Sequence, residues 1–294
     1  MRILFLSDFH GRLPDLSAWP ADLVLAGGDY CEVDEIRQLK FAALTRGRPV
    51  REWPELAGRA HAEALVRRAL DEGSAVVAGL AECGRPVLAI PGNSDRVALD
   101  WPSLAERVRP RPDQPEVEGR VTDLDVRLVL VGDVAFAGLG GWSGPANPQR
   151  LENDIAALRV QWERLLAERA RLGQAPPPLV LLSHNVPHGS SLDGVNNPDV
   201  PAFAQGQMVG SHRCRAALAA FRPVLCLAGH LHENFGRTEV IDGTLCVCGA
   251  GAWRGAALLL DVFPDGRLSE PRWVTARDGA PRVLQPPASA DSAC

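Results

Sequence analysis

The stretch Leu225-Cys226-Leu227-Ala228-Gly229-His230-Leu231-His232-Glu233-Asn234 has the pattern of a buried strand that ends in a loop. A short apolar run precedes Gly-His-x-His, and the glycine marks the point where the strand stops. On an extended backbone, His230 and His232 would project to the same side, with Cα atoms roughly 6.5–7 Å apart. Two imidazoles presented in this way suit a pair of neighbouring metal ions. The alternative is that both are simply polar residues at a strand end, so other parts of the chain are needed to distinguish the two.

The composition is that of a globular protein without a dominant charge. The 294 residues are 46% hydrophobic and 23% charged, which is enough for a large core. The net charge of −5 is not that of a dedicated nucleic-acid binder, and no run is long enough to span a membrane. The seven cysteines include no Cys-x-x-Cys pair. We read them as reduced thiols and expect a cytoplasmic protein, without a signal sequence and with neither membrane nor nucleic acid as a partner.

Four other predicted strands also end in residues that can bind a metal. These strands span residues 2–6, 22–26, 86–90 and 179–182, and the polar residues after them are Asp8, His10, Asp29, Asn93 and His184. Glycine directly precedes both Asp29 and Asn93, and Asp8-x-His10 repeats the spacing of the two histidines in the opening stretch. Each motif alone has a structural explanation; Asp8, for example, is a typical helix cap. Their recurrence at strand ends indicates one site.

The remaining pattern predicts a single α/β domain. Residues 32–81 are expected to form helices broken at Gly47, Pro49, Pro54 and Gly73, and further helices are expected at 153–172 and 210–221. Residues 121–139 are expected to form two antiparallel strands that turn at Gly132-Asp133, with more strands at 238–247 and 256–262. The segment 109–114 is rich in proline and charge, but it is short enough to be a loop within the domain. We therefore predict one domain over residues 1–275 and a disordered tail over 276–294, where periodicity is lost.

In this order, the motifs Asp8-x-His10, Gly28-Asp29, Gly92-Asn93, His184 and Gly229-His230-x-His232 resemble those of the calcineurin-like metallophosphoesterase superfamily. The resemblance covers residues 1 to about 262. It implies a four-layer α-β-β-α sandwich of two mixed sheets, with a dinuclear metal site at the carboxyl ends of the strands. Further motifs are similar to the branch related to bacterial cyclic-AMP phosphodiesterases: His184-x-x-Pro187-x-Gly189, Leu192-Asp193, Val209-Gly210-Ser211 and His232-Glu233-x-x-Gly236.

The resemblance also implies which residues hold the metals. One divalent ion would be bound by Asp8, His10, Asp29 and His232, and the second by Asp29, Asn93, His184 and His230. Asp29 would bridge the two ions, and Asp29, Asn93 and His184 would belong to the catalytic centre. Oxygen and imidazole ligands without thiolate suit Mn, Fe or Zn. Two such ions can clamp a phosphoryl group and supply a bridging hydroxide as the nucleophile near neutral pH.

We therefore expect a metal-dependent phosphohydrolase that cleaves a small phosphate ester, and a phosphodiester rather than a monoester. One alternative is a non-catalytic metal-binding scaffold of the same fold, which loss of ligands would favour; none is missing here. A nuclease is the other alternative, and the acidic charge balance disfavours it. The oligomeric state is not predicted.

Ser94 departs from the family pattern, because many members carry a histidine directly after the Gly-Asn pair. That histidine helps to protonate the leaving group, and an acid at the next position, here Asp95, can orient it. A serine hydroxyl is a poor general acid at neutral pH. His188 and His212 are possible substitutes, although a surface or loop role explains each of them as well. The long loop 185–206 follows His184 directly and is expected to border the substrate.

Overall fold

The strands of the chain form two mixed sheets. The computed structural model describes residues 1–95, 121–141, 148–196, 202, 205–249, 251–277 and 280–284. In chain order, the strands are β1 (Arg2–Leu6), β2 (Leu23–Ala26), β3 (Val87–Ala89), β4 (Val121–Asp123), β5 (Leu128–Val131), β6 (Val134–Leu139), β7 (Leu179–Asn185), β8 (Leu225–Gly229), β9 (Thr238–Ile241), β10 (Thr244–Cys248), β11 (Ala256–Asp261), β12 (Arg272–Arg277) and β13 (Ala280–Leu284). Within the described ranges, the first sheet has the order β13-β12-β11-β1-β2-β3-β4 and the second β5-β6-β7-β8-β10-β9.

Helices cover the outer faces of the sheets. They are α1 (Asp34–Thr45), α2 (Trp53–Ala57), α3 (Arg59–Ala81), α4 (Pro148–Arg171) and α5 (His212–Phe221), with short 3-10 helices at Leu16–Ala18, Val50–Glu52, His232–Asn234 and Ala252–Arg254. None of the helices in the described ranges has the length and apolar character needed to cross a bilayer. The segment 109–114 lies outside the described residues, so its expected role as a loop stays a prediction.

Alternation along the central strands produces four layers. In β1, Leu4 and Leu6 pack in the cluster that contains the buried side of α3, whereas Ile3 and Phe5 lie in the cluster between the two sheets. A third cluster joins the other face of the second sheet to α4 and α5. Because successive strand residues point to opposite faces, the apolar residues 3–6 of β1 contact both neighbouring layers. The predicted α-β-β-α sandwich is confirmed.

Parallel pairing brings the predicted site residues to one edge. Strands β1, β2 and β3 run parallel in the first sheet, and β7 and β8 run parallel in the second. Parallel neighbours end at the same edge of a sheet, and ligand sites of such sheets lie outside the carboxyl ends of the strands. Antiparallel strands complete the sheets at their flanks: β11 beside β1, and the outer strands β5 and β9.

Two local expectations are wrong in detail. Residues 121–139 hold three strands, because β4 pairs with β3 in the first sheet before the β5–β6 hairpin turns at Gly132-Asp133 in the second. Gly73 does not break a helix but lies buried inside α3. A glycine costs a helix about 1 kcal/mol. The burial of neighbouring side chains such as Val76 and Val77 against the first sheet outweighs that cost.

The sheet also extends further than the sequence indicates. Strand β12 ends at Arg277, and β13 pairs with it antiparallel from Ala280 to Leu284. The range predicted to be disordered, which starts at residue 276, therefore includes part of this hairpin. The apolar runs of the hairpin strands are short, so the sequence shows no periodic pattern there. Residues 285–294 lie outside the described residues, and the division into one domain and a tail stays a prediction.

The core between the sheets should carry most of the stability. Phe136 on β6 is 0% exposed within this core, whereas Val160 on α4 is 67% exposed. We expect Phe136→Ala to lower the free energy of unfolding by about 3–5 kcal/mol, because it removes a ring and leaves a cavity. The control Val160→Ala should change it by less than about 0.5 kcal/mol. Urea denaturation of both variants measures the difference, and equal effects would contradict this placement of the core.

Candidate metal centre

Six of the seven predicted ligands form two clusters at the shared edge. Asp8, His10 and His232 make the first cluster, and Asp29, His184 and His230 make the second. Within each cluster the ligand atoms lie within 4.8 Å of one another. The seventh residue, Asn93, places its Oδ1 at 2.9 Å from His184 Nε2 and so joins the second cluster. The structure thus brings together all seven residues that the resemblance assigns to metal binding.

The first cluster is arranged as a cation site. His232 Nε2 lies 3.2 Å from Asp8 Oδ1 and 3.3 Å from His10 Nε2. One carboxylate oxygen and two imidazole nitrogens thus point at a common space, and such lone pairs are suitable ligands for a divalent metal. His10 Nδ1 is buried and has no hydrogen-bond partner among the described residues, so the ring's only polar contact in this part of the chain is made through Nε2. These residues fit a divalent cation.

In the second cluster, His184 is fixed by a hydrogen bond to the other sheet. His184 Nδ1 lies 2.8 Å from the carbonyl oxygen of Gly27, so it donates a proton there. This leaves Nε2 directed at Asp29 Oδ1, 3.4 Å away, and at the Asn93 side chain. A backbone acceptor on the far ring nitrogen is the usual way in which a protein orients a metal-binding histidine. The second cluster therefore also fits a divalent cation.

His184 reaches the site through an irregularity in β7. Ser183 pairs with Ala228 and Asn185 with Gly229, which leaves His184 as an extra residue between them. An extra residue of this kind bends a strand and turns a side chain to a new direction, often beside an active site. The strand continues to Asn185, so His184 lies within β7 and not after it as the sequence suggests.

Four of the ligands have left-handed backbone conformations. The φ angles are 55° for Asp8, 44° for His10, 58° for Asp29 and 70° for His230. This region costs a non-glycine residue of order 1–3 kcal/mol, and such residues cluster at functional sites. Here the conformation turns the chain sharply after β1, β2 and β8, so that side chains point back over the sheet edge.

The extended geometry expected for His230 and His232 is wrong. Strand β8 ends at Gly229, His230 has φ 70°, and His232 begins a 3-10 helix. The backbone therefore turns between the two histidines, and their rings enter different clusters. The two histidines still lie in two neighbouring clusters, as expected. A turn in the backbone separates their rings, whereas an extended spacing was expected to do so.

Side chains that follow β1 in the other sheet leave no room for a side chain at Gly229. A Cβ at this position would overlap Ser7 Oγ and Asp8 Oδ2, which occupy the space beside it. The Asp8 carboxylate accepts hydrogen bonds from the His230 amide at 3.2 and 3.0 Å. The sequence indicates a close approach at Gly229, and the approaching groups are Ser7 and Asp8.

Asp95 holds two ligand loops together. It is fully buried, and its Oδ2 accepts hydrogen bonds from the amides of Asp29 at 2.9 Å and Gly92 at 2.6 Å. Its Oδ1 accepts from the amides of Tyr30 at 2.8 Å and Cys31 at 3.3 Å. Burial and the nearby Asp29 charge raise the pKa of Asp95 to about 6, although the amides oppose this. In this chain Asp95 thus binds backbone amides of the loops after β2 and β3.

Burial and neighbouring charges shift the pKa of several predicted ligands. Burial disfavours the Asp8 carboxylate, but the hydrogen bond to His232 and the surrounding imidazoles outweigh it and lower the pKa of Asp8. Burial likewise opposes ionisation of the Asp29–His184 pair, yet their attraction lowers the pKa of Asp29 and raises that of His184. Burial and the charge of His184 lower the pKa of His230 to about 4. Ionised carboxylates and a neutral His230 imidazole are the forms that metals bind.

His188 and His212 lie outside both clusters and contact each other. Their ring centroids are 3.9 Å apart, and His188 Nδ1 is 3.0 Å from Asp193 Oδ2. Asp193 is itself fully buried and accepts hydrogen bonds from the amides of Gly189, at 2.8 Å, and Gly210. The described part of loop 185–206 is therefore anchored to the residues before α5.

Trp253, which no sequence motif indicates, packs against the first cluster. Its ring centroid lies 4.2 Å from that of His232 and 5.6 Å from that of His10. Its amide donates to the Asp8 carbonyl at 3.3 Å. The only signal in the sequence is a tryptophan between glycines in Gly251-Ala252-Trp253-Arg254-Gly255, directly before β11, and this has no recognisable motif spacing.

Metal content should depend most on Asp29, which is predicted to bridge the ions. We expect Asp29→Asn to remove more metal than His10→Gln, because the latter removes a ligand from the first cluster alone. His61→Gln is the control, since His61 is exposed and contacts Glu35. Elemental analysis after reconstitution gives the ratio of metal to protein, and circular dichroism checks the fold. Full occupancy of both sites in Asp29→Asn would rule out the bridging role.

Comparison with known proteins agrees with the geometry of the site. The family model for calcineurin-like phosphoesterases matches residues 1–234. One solved structure has a TM-score of 0.59 at 15% identity, covering 91% of this chain and 97% of that chain. The protein TT1561 of Thermus thermophilus has a TM-score of 0.55 at 18% identity, covering 94% of this chain and 99% of that chain. Such low identities show the fold alone, and no curated protein matches the chain. The family match covers most of the chain and all seven ligand residues, so the protein belongs to the calcineurin-like phosphoesterase family.

Proposed function

We propose that this protein is a metal-dependent phosphoesterase that prefers phosphodiesters. The observation that carries the proposal is the meeting of two oxygen- and nitrogen-rich clusters at one edge of the sandwich. Family membership supports hydrolysis of a phosphate ester as the reaction. We infer that the substrate is a small molecule, since the net charge of −5 gives a nucleic acid no electrostatic advantage.

The proposed role of each ligand follows from its position. Asp8, His10 and His232 would hold one divalent cation, Asn93, His184 and His230 the other, and Asp29 would contact both. Cations in such a site lower the pKa of water and stabilise charge on a phosphoryl group. The protein keeps the ligands in place through Asp95 and through the Ser94 amide, which donates to Asp29 Oδ1 at 2.8 Å. These contacts orient the bridging carboxylate before substrate arrives.

The preference for phosphodiesters rests on the motifs shared with the branch related to cyclic-AMP phosphodiesterases. Three of these motifs meet at Asp193, whose carboxylate accepts hydrogen bonds from the Gly189 and Gly210 amides. This contact gives a physical reason for their joint presence and supports the likeness to that branch. Because the Asp193 contact fixes the loop beside the site, we expect it to affect the choice of substrate more than the hydrolysis step.

Metal identity and location belong to the same proposal. Ligand atoms of carboxylate, amide and imidazole type favour Mn, Fe or Zn over softer ions. A cytoplasmic location is supported by the free thiols of the described residues, which are Cys31, Cys83, Cys214, Cys226, Cys246 and Cys248. Free thiols persist in a reducing compartment.

A panel of esters tests the function. The protein reconstituted with Mn, Fe or Zn should hydrolyse bis(4-nitrophenyl) phosphate faster than 4-nitrophenyl phosphate, and a chelator should abolish both activities. Asn93→Ala should lose activity, whereas Asn153→Ala, an exposed position on α4, should not. Inactivity with both metal sites filled would identify the scaffold alternative. Preferential cleavage of DNA would identify a nuclease, and a faster monoester reaction would reject the preference for diesters.

The rate should depend steeply on the leaving group. Ser94 is 3% exposed and its hydroxyl is a weak acid, while Asp95 is bound to backbone amides. A positioned general acid contributes about 10²–10⁴-fold, mainly for poor leaving groups. We therefore expect aryl phosphodiesters to react far faster than alkyl ones, with a steep decline as the pKa of the leaving alcohol rises.

Variants of His188 and His212 test whether either histidine protonates the leaving group. Because the two rings contact each other and His188 also contacts Asp193, we expect His188→Gln and His212→Gln to leave the dependence of rate on leaving-group pKa unchanged. His61→Gln serves as the control for removal of an imidazole. A shallow slope in the wild-type protein that becomes steep in His188→Gln or His212→Gln would contradict this and identify the proton donor.

A further inference from the structure

A cavity of about 400 Å³ lies beside the first cluster. Polar and apolar atoms contribute about equally to its walls, and its lining includes Leu13, Pro14, Ala18, Ala252, Trp253 and Arg12. Sites for small molecules usually have volumes of about 300–1,000 Å³ and apolar walls with a few polar groups. The cavity therefore has the size of a site for one small organic group, and Trp253 gives it an aromatic wall.

The cavity shares Trp253 with the metal centre. This indole lines the cavity and packs against His232 and His10, with ring centroids 4.2 and 5.6 Å away. Arg12 follows His10 by two residues and also lines the cavity. A molecule whose phosphate lies at the clusters can therefore place its organic group against Trp253.

The charges at the cavity suit an anionic ligand. Arg12 and Arg254 are both exposed, and within the described part of the chain neither guanidinium forms an ion pair. The Arg254 guanidinium lies 4.9 Å from the Trp253 ring centroid. Asp15 also lines the cavity, but its carboxylate accepts the Ser17 amide at 2.9 Å. Two cations without an acidic partner in that part of the chain, beside an aromatic wall, would attract a phosphate ester.

We infer that this cavity binds the organic group of the substrate and that this group contains a planar aromatic ring. The inference rests on the proposed phosphoesterase function and specifies its substrate class. Trp253 offers a ring for stacking, and aromatic pairs gain stability beyond the burial of their area. Arg12 supplies a positive charge to the lining of the cavity. A simple aryl group and a nucleobase share this chemistry, and the experiment separates them.

Binding of non-hydrolysable ligands tests the inference without requiring turnover. Calorimetry on the metal-loaded protein would compare methylphosphonate, phenylphosphonate and a nucleoside 5′-phosphonate. We expect phenylphosphonate to bind about tenfold more tightly than methylphosphonate, as one aromatic contact would give. A further gain for the nucleoside ligand would identify a nucleobase as the natural occupant, and no gain would identify a simple aryl group. Equal affinity for all three would overturn the inference.

Variants locate the binding to this cavity. Ala18→Leu should fill it and abolish the preference for the phenyl ligand, and Ala18 is not one of the predicted metal ligands. Trp253→Leu should also abolish the preference, and Trp253→Phe should keep part of it. Arg12→Gln should lower the affinity for all three ligands. Arg59 is an exposed arginine on α3, and Arg59→Gln should leave all three affinities unchanged. An unchanged preference in Ala18→Leu would overturn the inference.

Metal analysis and kinetics separate the possible failures. Because Trp253 contacts two predicted ligands, each variant must retain its metal content for its affinity to be interpreted. In kinetics, Ala18→Leu should raise KM for aryl esters about tenfold, whereas Arg59→Gln should leave that KM unchanged. Loss of turnover on every ester by the wild-type protein, with ligand preference intact, would reject the proposed function but retain the cavity as a binding site. An unchanged KM for aryl esters in Ala18→Leu, with metal content retained, would reject the cavity and retain the function.

Discussion

Two hydrogen bonds between the sheets hold the site together. His184 Nδ1 of the second sheet donates to the Gly27 carbonyl at the end of β2, and the His230 amide donates to the Asp8 carboxylate at the end of β1. Each bond joins one sheet to the other and at the same time orients a predicted metal ligand. The core between the sheets fixes the distance between them. At that distance, these two hydrogen bonds position His184 and Asp8 in their clusters.

The site combines strained backbone conformations with buried ionisable side chains, and both lower the stability of the fold. Asp8, His10, Asp29 and His230 all have positive φ, and the carboxylates and imidazoles are largely buried. Strain of this kind persists only where the surrounding structure over-determines it. Here the parallel strands before each turn are fully buried, and the apolar area that they remove from water stabilises the fold enough to hold the strained turns.

Two buried carboxylates organise loops and are not free for catalysis. Asp95 accepts amides from the loops after β2 and β3, and Asp193 accepts amides from both ends of the segment between β7 and α5. Hydrogen bonds to a charged acceptor are stronger than neutral ones, so a single buried acid can fix several backbone segments. This explains why an acid directly after Ser94 need not orient a catalytic side chain.

The sequence by itself determined the layered α/β fold and the set of candidate ligands. Apolar runs such as Leu225–Ala228 predict buried strands, and glycine followed by Asp, Asn or His predicts polar strand ends, because both signals are local. Parallel strands then require these ends to meet at one edge. The seven ligands could therefore be named from their order along the chain and from the family resemblance.

The tertiary structure decided how those residues are divided and what surrounds them. The assignment of His230 and His232 to different clusters depends on a turn, and the direction of His184 depends on a register shift against β8. Trp253 joins the first cluster from a segment more than two hundred residues beyond His10, where no local pattern indicates it. Contacts of this kind arise from packing between distant segments, and periodicity along the chain carries no information about them.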